Sequence, residues 1–254
     1  MEILENVAVA ERTYRLRFRV PGFSDIFTPG QFVMLRLTDT ADPLLGRPLA
    51  VYRSDRKTDD VEAVYLVVGK MTAKLAQLPQ KTPLTVWGPL GNGFQIPETE
   101  NLIMVAGGIG QTPFLTLAEE ARKYCKKVTL LFGAKSQSRI CCMEDFLALG
   151  VEVQIATEDG SAGHHGFVTD LMTPWERGKT VIVSCGPRPM LQAVYRKAVE
   201  LGNLPCFVSL ESPMACGLGI CYSCVVEYKK DNGTNDYVRT CVDGPVFDAY
   251  RLVW

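Results

Sequence analysis

The sequence predicts a multi-domain protein of mixed class: an antiparallel β-barrel, a doubly wound parallel α/β domain and a small C-terminal module. Three observations carry this. Residues 1–97 show short β-rich runs separated by Gly, Pro and Asp turn clusters. Residues 98–205 alternate apolar strands with helices. Residues 206–254 hold four cysteines in a close, patterned spacing. A chain of 254 residues accommodates three such units.

In the first unit, strands are expected at Tyr14–Val20, Phe32–Leu37, Pro48–Tyr52, Ala63–Val68 and Leu84–Trp87, where β-branched and aromatic residues recur. One helix, Thr72–Leu78, interrupts them as the barrel's only helix. Arg47 precedes Pro48 and a β run through Leu49, Ala50 and Val51, which fixes a guanidinium at a strand start. Such a group clamps a diphosphate bidentately while the backbone beyond it faces a flat ring. Gly69, Met71 and Thr72 open the helix, and its first N–H groups favour an anion. Each feature alone also fits a salt-bridged arginine or an ordinary capped helix. The loop Gly88-Pro89-Leu90-Gly91-Asn92-Gly93-Phe94 leads rigidly out of the barrel.

From about residue 101 the rhythm changes. Strand Leu102–Ala106 runs into a helix from Thr112; strand Val128–Phe132, helix Met143–Leu149, strands Val151–Ala156 and Thr180–Ser184 and helix Pro189–Leu201 follow. In the turn between the first strand and helix, Gly108 and Gly110 allow close approach to a pyrophosphate. Thr112 is suited to the N-cap and Pro113 to the first helical position. Pro113 stands where the usual dinucleotide fingerprint has its third glycine, so this motif alone is weak. Cys185 and Gly186 end a strand at the carboxyl edge of the sheet, the expected ligand crevice. Cys185 also reads as a small buried residue closing that strand. An NAD reader usually carries an acid after its second strand. Here Gly133–Arg139 has none, and Lys135 and Arg139 leave NADPH open.

The last unit carries the most specific pattern. Cys216, Cys221 and Cys224 read C-x4-C-x2-C, and Cys241 follows after 16 residues. That is the short-range spacing of a plant-type [2Fe–2S] site. Gly217 and Gly219 let the backbone wrap a compact core, and N–H groups in so tight a loop point at the sulfurs. Cys241 returns from a hairpin expected at Val225–Tyr228 and Tyr237–Thr240 around Asp231-Asn232-Gly233. A structural zinc site more often shows two C-x2-C pairs, and a thioredoxin-like pair a lone C-x-x-C opening a helix. Structural disulfides need an oxidising compartment. The iron–sulfur reading leads, with a zinc-stapled binding module without redox activity as its rival from another class.

Other classes recede. A net charge of −1 suggests no nucleic-acid or anionic-membrane footprint, and no apolar run reaches membrane-spanning length. Nine cysteines without an export signal point to a reducing cytoplasm. His164 and His165, the only histidines, are adjacent in a Gly-rich loop without ligand spacing. Cys141-Cys142 reads as helix-start packing, and Trp254 as either packing or a cover for a flavin or partner.

The runs R-P-x-x-x-Y from Arg47, G-x-x-T from Gly69, and G-P-L-G-N-G-F from Gly88 resemble the flavin domain of the ferredoxin reductase superfamily. The G-G-x-G-x-T-P turn from Gly107 matches the same relatives. With M-A-C-G-x-G-x-C-x-x-C from Met214 and C-x-D-G-P-V-F from Cys241, the whole chain is similar to electron-transfer subunits of NAD-linked, B-type dihydroorotate dehydrogenases. The resemblance implies that Arg47 and Thr72 touch FAD phosphates and that Leu49 to Val51 line the isoalloxazine. It further implies NADH as electron donor, Cys185 near the nicotinamide, and an FMN-containing dihydroorotate dehydrogenase catalytic subunit as partner in a heterotetramer. Ala50 departs from the serine many relatives place near the flavin. Similar subunits serve anaerobic sulfite reductases, hydrogenases and bifurcating ferredoxin reductases; the last usually have Asp at the first ligand position, where this chain has Cys216.

Overall fold

The computed structural model describes residues 1–38 and 40–254. Its first unit comprises β1 (Ile3–Ala10), β2 (Thr13–Arg19), helix α1 (Phe23–Ile26), β3 (Phe32–Leu37), β4 (Arg47–Ala50), β5 (Arg53–Ser54), β6 (Asp60–Leu66), helix α2 (Lys70–Leu75) and β7 (Leu84–Leu90). Two sheets, ordered β1-β2-β6-β5 and β4-β3-β7, enclose one core, and every pairing in them is antiparallel. Alternation along β2, β3 and β6 sends Leu16 and Phe18, Val33 and Leu35, and Val61, Ala63 and Tyr65 into that core. Three elements escape the sequence reading: β1, α1 and the two-residue β5. β1 is a half-exposed strand interrupted by Glu5 and Asn6, and α1 is a single turn, so neither shows a clean period. Among the described residues the barrel therefore has two helices, not one. α2 also starts two residues earlier than expected, because Gly69 is its N-cap and Thr72 its third residue.

The second unit is a seven-stranded sheet. β8 (Asn101–Gly107), β9 (Lys127–Ala134), β10 (Glu152–Thr157), β11 (His164–His165), β12 (Thr180–Cys185) and β13 (Cys206–Ser209) are parallel. The hairpin β14 (Val225–Lys229) and β15 (Asn235–Arg239) precedes β16 (Val246–Asp248), which adds antiparallel to β13. The order is β11-β10-β9-β8-β12-β13-β16. Along β8, Leu102, Met104 and Ala106 meet α3 (Phe114–Ala121) and α4 (Met143–Ala148) on one face. Ile103 and Val105 meet α5 (Arg188–Glu200) on the other, which is why β8 is apolar throughout. The cysteine-bearing module, expected from residue 206, is in fact threaded between two strands of this sheet: β13 enters it and β16 leaves it. Trp254 packs behind the sheet, stacked on Tyr195 at 5.7 Å and donating to the Ala249 carbonyl at 2.9 Å, away from any cleft. His164 and His165 are exposed on the edge strand.

Candidate functional site

A cleft of about 1220 Å³ opens where the barrel meets the carboxyl ends of β8 and β12. It exceeds the roughly 300–1,000 Å³ of a single small-molecule pocket. β8 is the first strand of its sheet in chain order and has neighbours on both sides, so the cleft lies at the topological switch point. Arg47, Pro48, Leu49, Ala50, Gly69, Met71 and Thr72 line its barrel side; Gly108, Thr112, Cys185 and Gly186 line its sheet side.

The positions differ in what they present. Arg47 donates through Nη1 to the carbonyls of Leu45 (3.0 Å) and Gly46 (2.9 Å), which holds the guanidinium at the strand start without an acidic partner among the described residues. Strand alternation leaves Pro48 and Ala50 half-buried, while Leu49 and Val51 enter the barrel core. Val51 is not on the cleft wall: it is fully buried and its N–H donates to the Gln31 carbonyl at 3.2 Å. The Thr72 hydroxyl accepts from the N–H groups of Val68 (3.1 Å) and Gly69 (3.2 Å), bracing the loop that carries Gly69. Met71 is buried beneath it. On the sheet side, a 3-10 turn over Gly108–Gln111 precedes α3, and Thr112 has helical dihedrals (φ −61°, ψ −41°). It is therefore not the N-cap that its sequence position suggests; the extra turn displaces the cap by one residue. Gly110 does not face the cleft either. It is pressed on Cys185 and Gly186, where any Cβ would run into the Cys185 carbonyl, and so it joins the two sheet-side turns.

Sequence reasoning missed two carboxylates in this cleft. Glu158 lies on the cleft wall beyond β10, beside Lys135 beyond β9. The acid sought after the second strand stands instead after the third, in Thr157-Glu158-Asp159-Gly160. Arg139, a candidate for a 2′-phosphate, is tied to Glu11 at 2.8 Å. Glu211, two residues beyond β13, lines the same space; it is exposed to solvent within the cleft, whose walls crowd its carboxyl and raise it above the usual range. Burial, and then the nearby Glu211 charge, raise the Cys185 thiol too and keep it neutral.

The four patterned cysteines lie in the loop and hairpin on the far side. Cys224 and Cys241 are buried, Cys216 half-buried and Cys221 exposed. Thr240 donates to the Cys224 carbonyl from its N–H (3.0 Å) and its hydroxyl (2.8 Å), which sets the hairpin register and brings Cys241 beside Cys224. Cys216 interacts with Cys221, and Cys241 with Cys224 and, more weakly, with Cys216. Partial burial opposes ionisation of Cys216, yet N–H groups of Leu218, Cys221 and Ile220 outweigh it and bring the thiol down to about 6. The Leu218 N–H stands 3.3 Å from its sulfur. Gly219 (φ +77°) admits this wrap; a Cβ there would lie 2.7 Å from Val242 Cγ2. The loop thus fits an anionic, thiolate-ligated core.

Comparison with known proteins follows the same division. Family models match residues 1–94 as "oxidoreductase FAD-binding domain", 104–196 as "oxidoreductase NAD-binding domain" and 211–253 as "iron-sulfur cluster binding domain of dihydroorotate dehydrogenase B". The dihydroorotate dehydrogenase B (NAD(+)), electron transfer subunit, of Geobacillus kaustophilus is 38% identical over 100% of this chain and 97% of its own length. The protein of that name from Fusobacterium nucleatum is 35% identical over 96% and 94%. A solved structure of an NADH-dependent reduced ferredoxin–NADP oxidoreductase, studied for flavin-based electron bifurcation, superposes with TM-score 0.86 at 29% identity, covering 100% of this chain and 89% of that one. A ferredoxin NADP+ reductase from Neisseria gonorrhoeae shares the fold at TM-score 0.68 and 20% identity, over 79% and 90%. With FAD-, NAD- and iron–sulfur-binding domains in this order, and relatives matched end to end, the chain belongs to the dihydroorotate dehydrogenase B (NAD(+)) electron transfer subunit family of oxidoreductases.

Proposed function

We propose that this chain passes electrons between NAD(H) and an FMN-containing dihydroorotate dehydrogenase catalytic subunit by means of FAD and a [2Fe–2S] cluster, as part of a cytoplasmic heterotetramer in pyrimidine biosynthesis. The observation that carries this reading is shared walls. Phe32 and Met214 line the cleft and also pack with Cys224 and Cys241, so nucleotide cleft and thiolate loop are two sides of one apolar partition.

When bound, the flavin and cluster supply the exchange between two-electron nicotinamide chemistry and single-electron delivery. The chain's own residues bind and orient. Arg47 and the Gly69–Thr72 segment hold the FAD diphosphate; Ala50 and the backbone of Leu49 flank the ring, with a methyl where a hydroxyl is common. Gly108, Thr112 and Gly186 receive the nicotinamide nucleotide, and neutral Cys185 closes the floor beside it. Glu158 accepts from ribose hydroxyls and repels a 2′-phosphate, which favours NAD(H). No helix among the described residues is long and apolar enough to cross a membrane. Around the cluster loop, Leu218, Ile220, Tyr222 and Tyr237 are exposed, an apolar surface suited to a partner subunit.

Anaerobically purified protein is expected to contain about two irons and two sulfides per chain and to release FAD on acid extraction. Alone it should reduce artificial acceptors with NADH and leave its flavin oxidised when given dihydroorotate; the FMN subunit should couple the two. Zinc without iron, FMN as the only flavin, or bleaching by dihydroorotate alone would each count against the assignment. A second reading, a subunit of a bifurcating or other NAD(P)H-oxidising complex, has the TM-score of 0.86 in its favour. Failure to couple with the FMN subunit would promote it.

A further inference from the structure

A side chain of the barrel reaches across to the backbone of the cluster loop. Trp87 lies on β7, beside the apolar group of Phe32, Met34, Cys224 and Cys241. Its ring is pressed against Gly46, where a Cβ would stand 2.7 Å from it, so the residue before Arg47 has no room for a side chain. Its indole N–H donates to the carbonyl of Cys216 at 3.0 Å. An indole packed into an apolar wall needs a partner for its N–H, and the first ligand of the loop supplies it. The loop beyond faces solvent, with Leu218, Ile220 and Tyr222 54%, 75% and 63% exposed, and Arg239 is a second side-chain anchor, donating to the Gly219 carbonyl at 3.2 Å. One side chain therefore touches both the loop that carries the flavin-clamping Arg47 and the backbone of the first thiolate ligand.

We propose that Trp87 is a positioning residue for electron delivery, holding the Cys216–Cys224 loop in register with the barrel wall on which the flavin lies. This rests on the cluster-binding reading of the loop. Arg239 ties the loop to its own hairpin, whereas the Trp87 N–H ties it to the barrel, and it thereby keeps the separation between cleft and thiolates constant. The restraint also steadies the N–H groups that point at the Cys216 sulfur, and such groups tune a cluster.

The test compares the holoprotein with its Trp87→Phe and Trp87→Leu variants. Phe keeps a ring against Gly46 but has no donor; Leu lacks both. Amide hydrogen exchange over residues 217–223 should speed up about five-fold in both variants, the loss of one hydrogen bond. The electron paramagnetic resonance spectrum of the dithionite-reduced protein should shift in both, and NADH-driven cluster reduction should slow several-fold relative to flavin bleaching. If Trp87→Phe matches wild type in exchange and spectrum, Trp87 merely packs and the proposal is overturned, whether or not Trp87→Leu folds. Wild-type protein carrying zinc instead of iron would overturn the functional reading; the exchange comparison on that protein still decides whether the N–H restrains the loop.

Discussion

The barrel meets its two neighbours by different means. Toward the nucleotide-binding sheet it presents charge. Asp145, in the first turn of α4, accepts from Tyr52 Oη at 2.6 Å, Arg15 Nη2 at 2.9 Å and Arg53 Nη2 at 3.0 Å, all from the barrel. Toward the cluster module it presents an apolar wall of Phe32, Met34, Trp87 and Leu90, with uncharged hydrogen bonds from Trp87 to the Cys216 carbonyl and from Asn92 to the Asp243 and Val246 carbonyls at its margins. The contrast follows from what each junction must do. Directional bonds to one carboxylate fix an angle between two rigid units, as holding two ligands face to face requires. An apolar wall keeps water from the buried thiolates and leaves the exposed rim of the loop to a partner.

The largest effect is expected on the cluster side. Cys221→Ser should lose the cluster and its visible absorption while retaining FAD, because the barrel core does not include the loop; loss of both cofactors together would mean that the junction is not separable. Next comes the strand between the two junctions. Arg47→Ala should weaken FAD by about 1.5–3 kcal/mol, read as a 10- to 100-fold rise in the dissociation constant by flavin titration of apoprotein. Unchanged affinity would remove Arg47 from the diphosphate site.

On the charged side, Asp145→Asn should destabilise the protein by about 1.5–3 kcal/mol in urea unfolding, since two arginines and a buried tyrosine lose an anionic acceptor. Burial pushes the Asp145 carboxyl up, but Tyr52, Arg15 and Arg53 overcome this and hold it below the usual carboxylate range. Its contribution is then full above about pH 4, its unfolded value, and fades as pH falls through the lower folded one. The stability gap between wild type and Asp145→Asn should therefore close in acid; a gap that persisted there would show that packing, not charge, makes the junction. The smallest effect is at the cleft rim. Glu158→Gln should improve NADPH relative to NADH by roughly tenfold in kcat/KM, the removal of about 1–2 kcal/mol of repulsion.

Much of this architecture is legible in the residues themselves. The four patterned cysteines stand out because short-range cysteine spacing is local chemistry, and the β8 to α5 alternation because an interior parallel strand must be apolar on both faces. Where fold and sequence pattern diverge, the cause is three-dimensional. Val51 resembles a cleft residue by adjacency to Ala50, yet strand alternation turns it inward. Thr112 resembles a cap, but the 3-10 turn over Gly108–Gln111 moves the helix start. Glu158 escapes notice because the acid is expected one strand earlier.

Composition, spacing and period were sufficient for three units, their order, the cysteine pattern and the arginine at the barrel strand, because each depends on residues within a few positions of one another. That β13 and β16 bracket the cysteine module within the nucleotide sheet, that Asp145 latches the barrel and that Trp87 reaches Cys216 depended on contacts 129 positions apart in the last case. Such pairings have no local pattern: they arise only when packing brings distant segments together, so folding decided them.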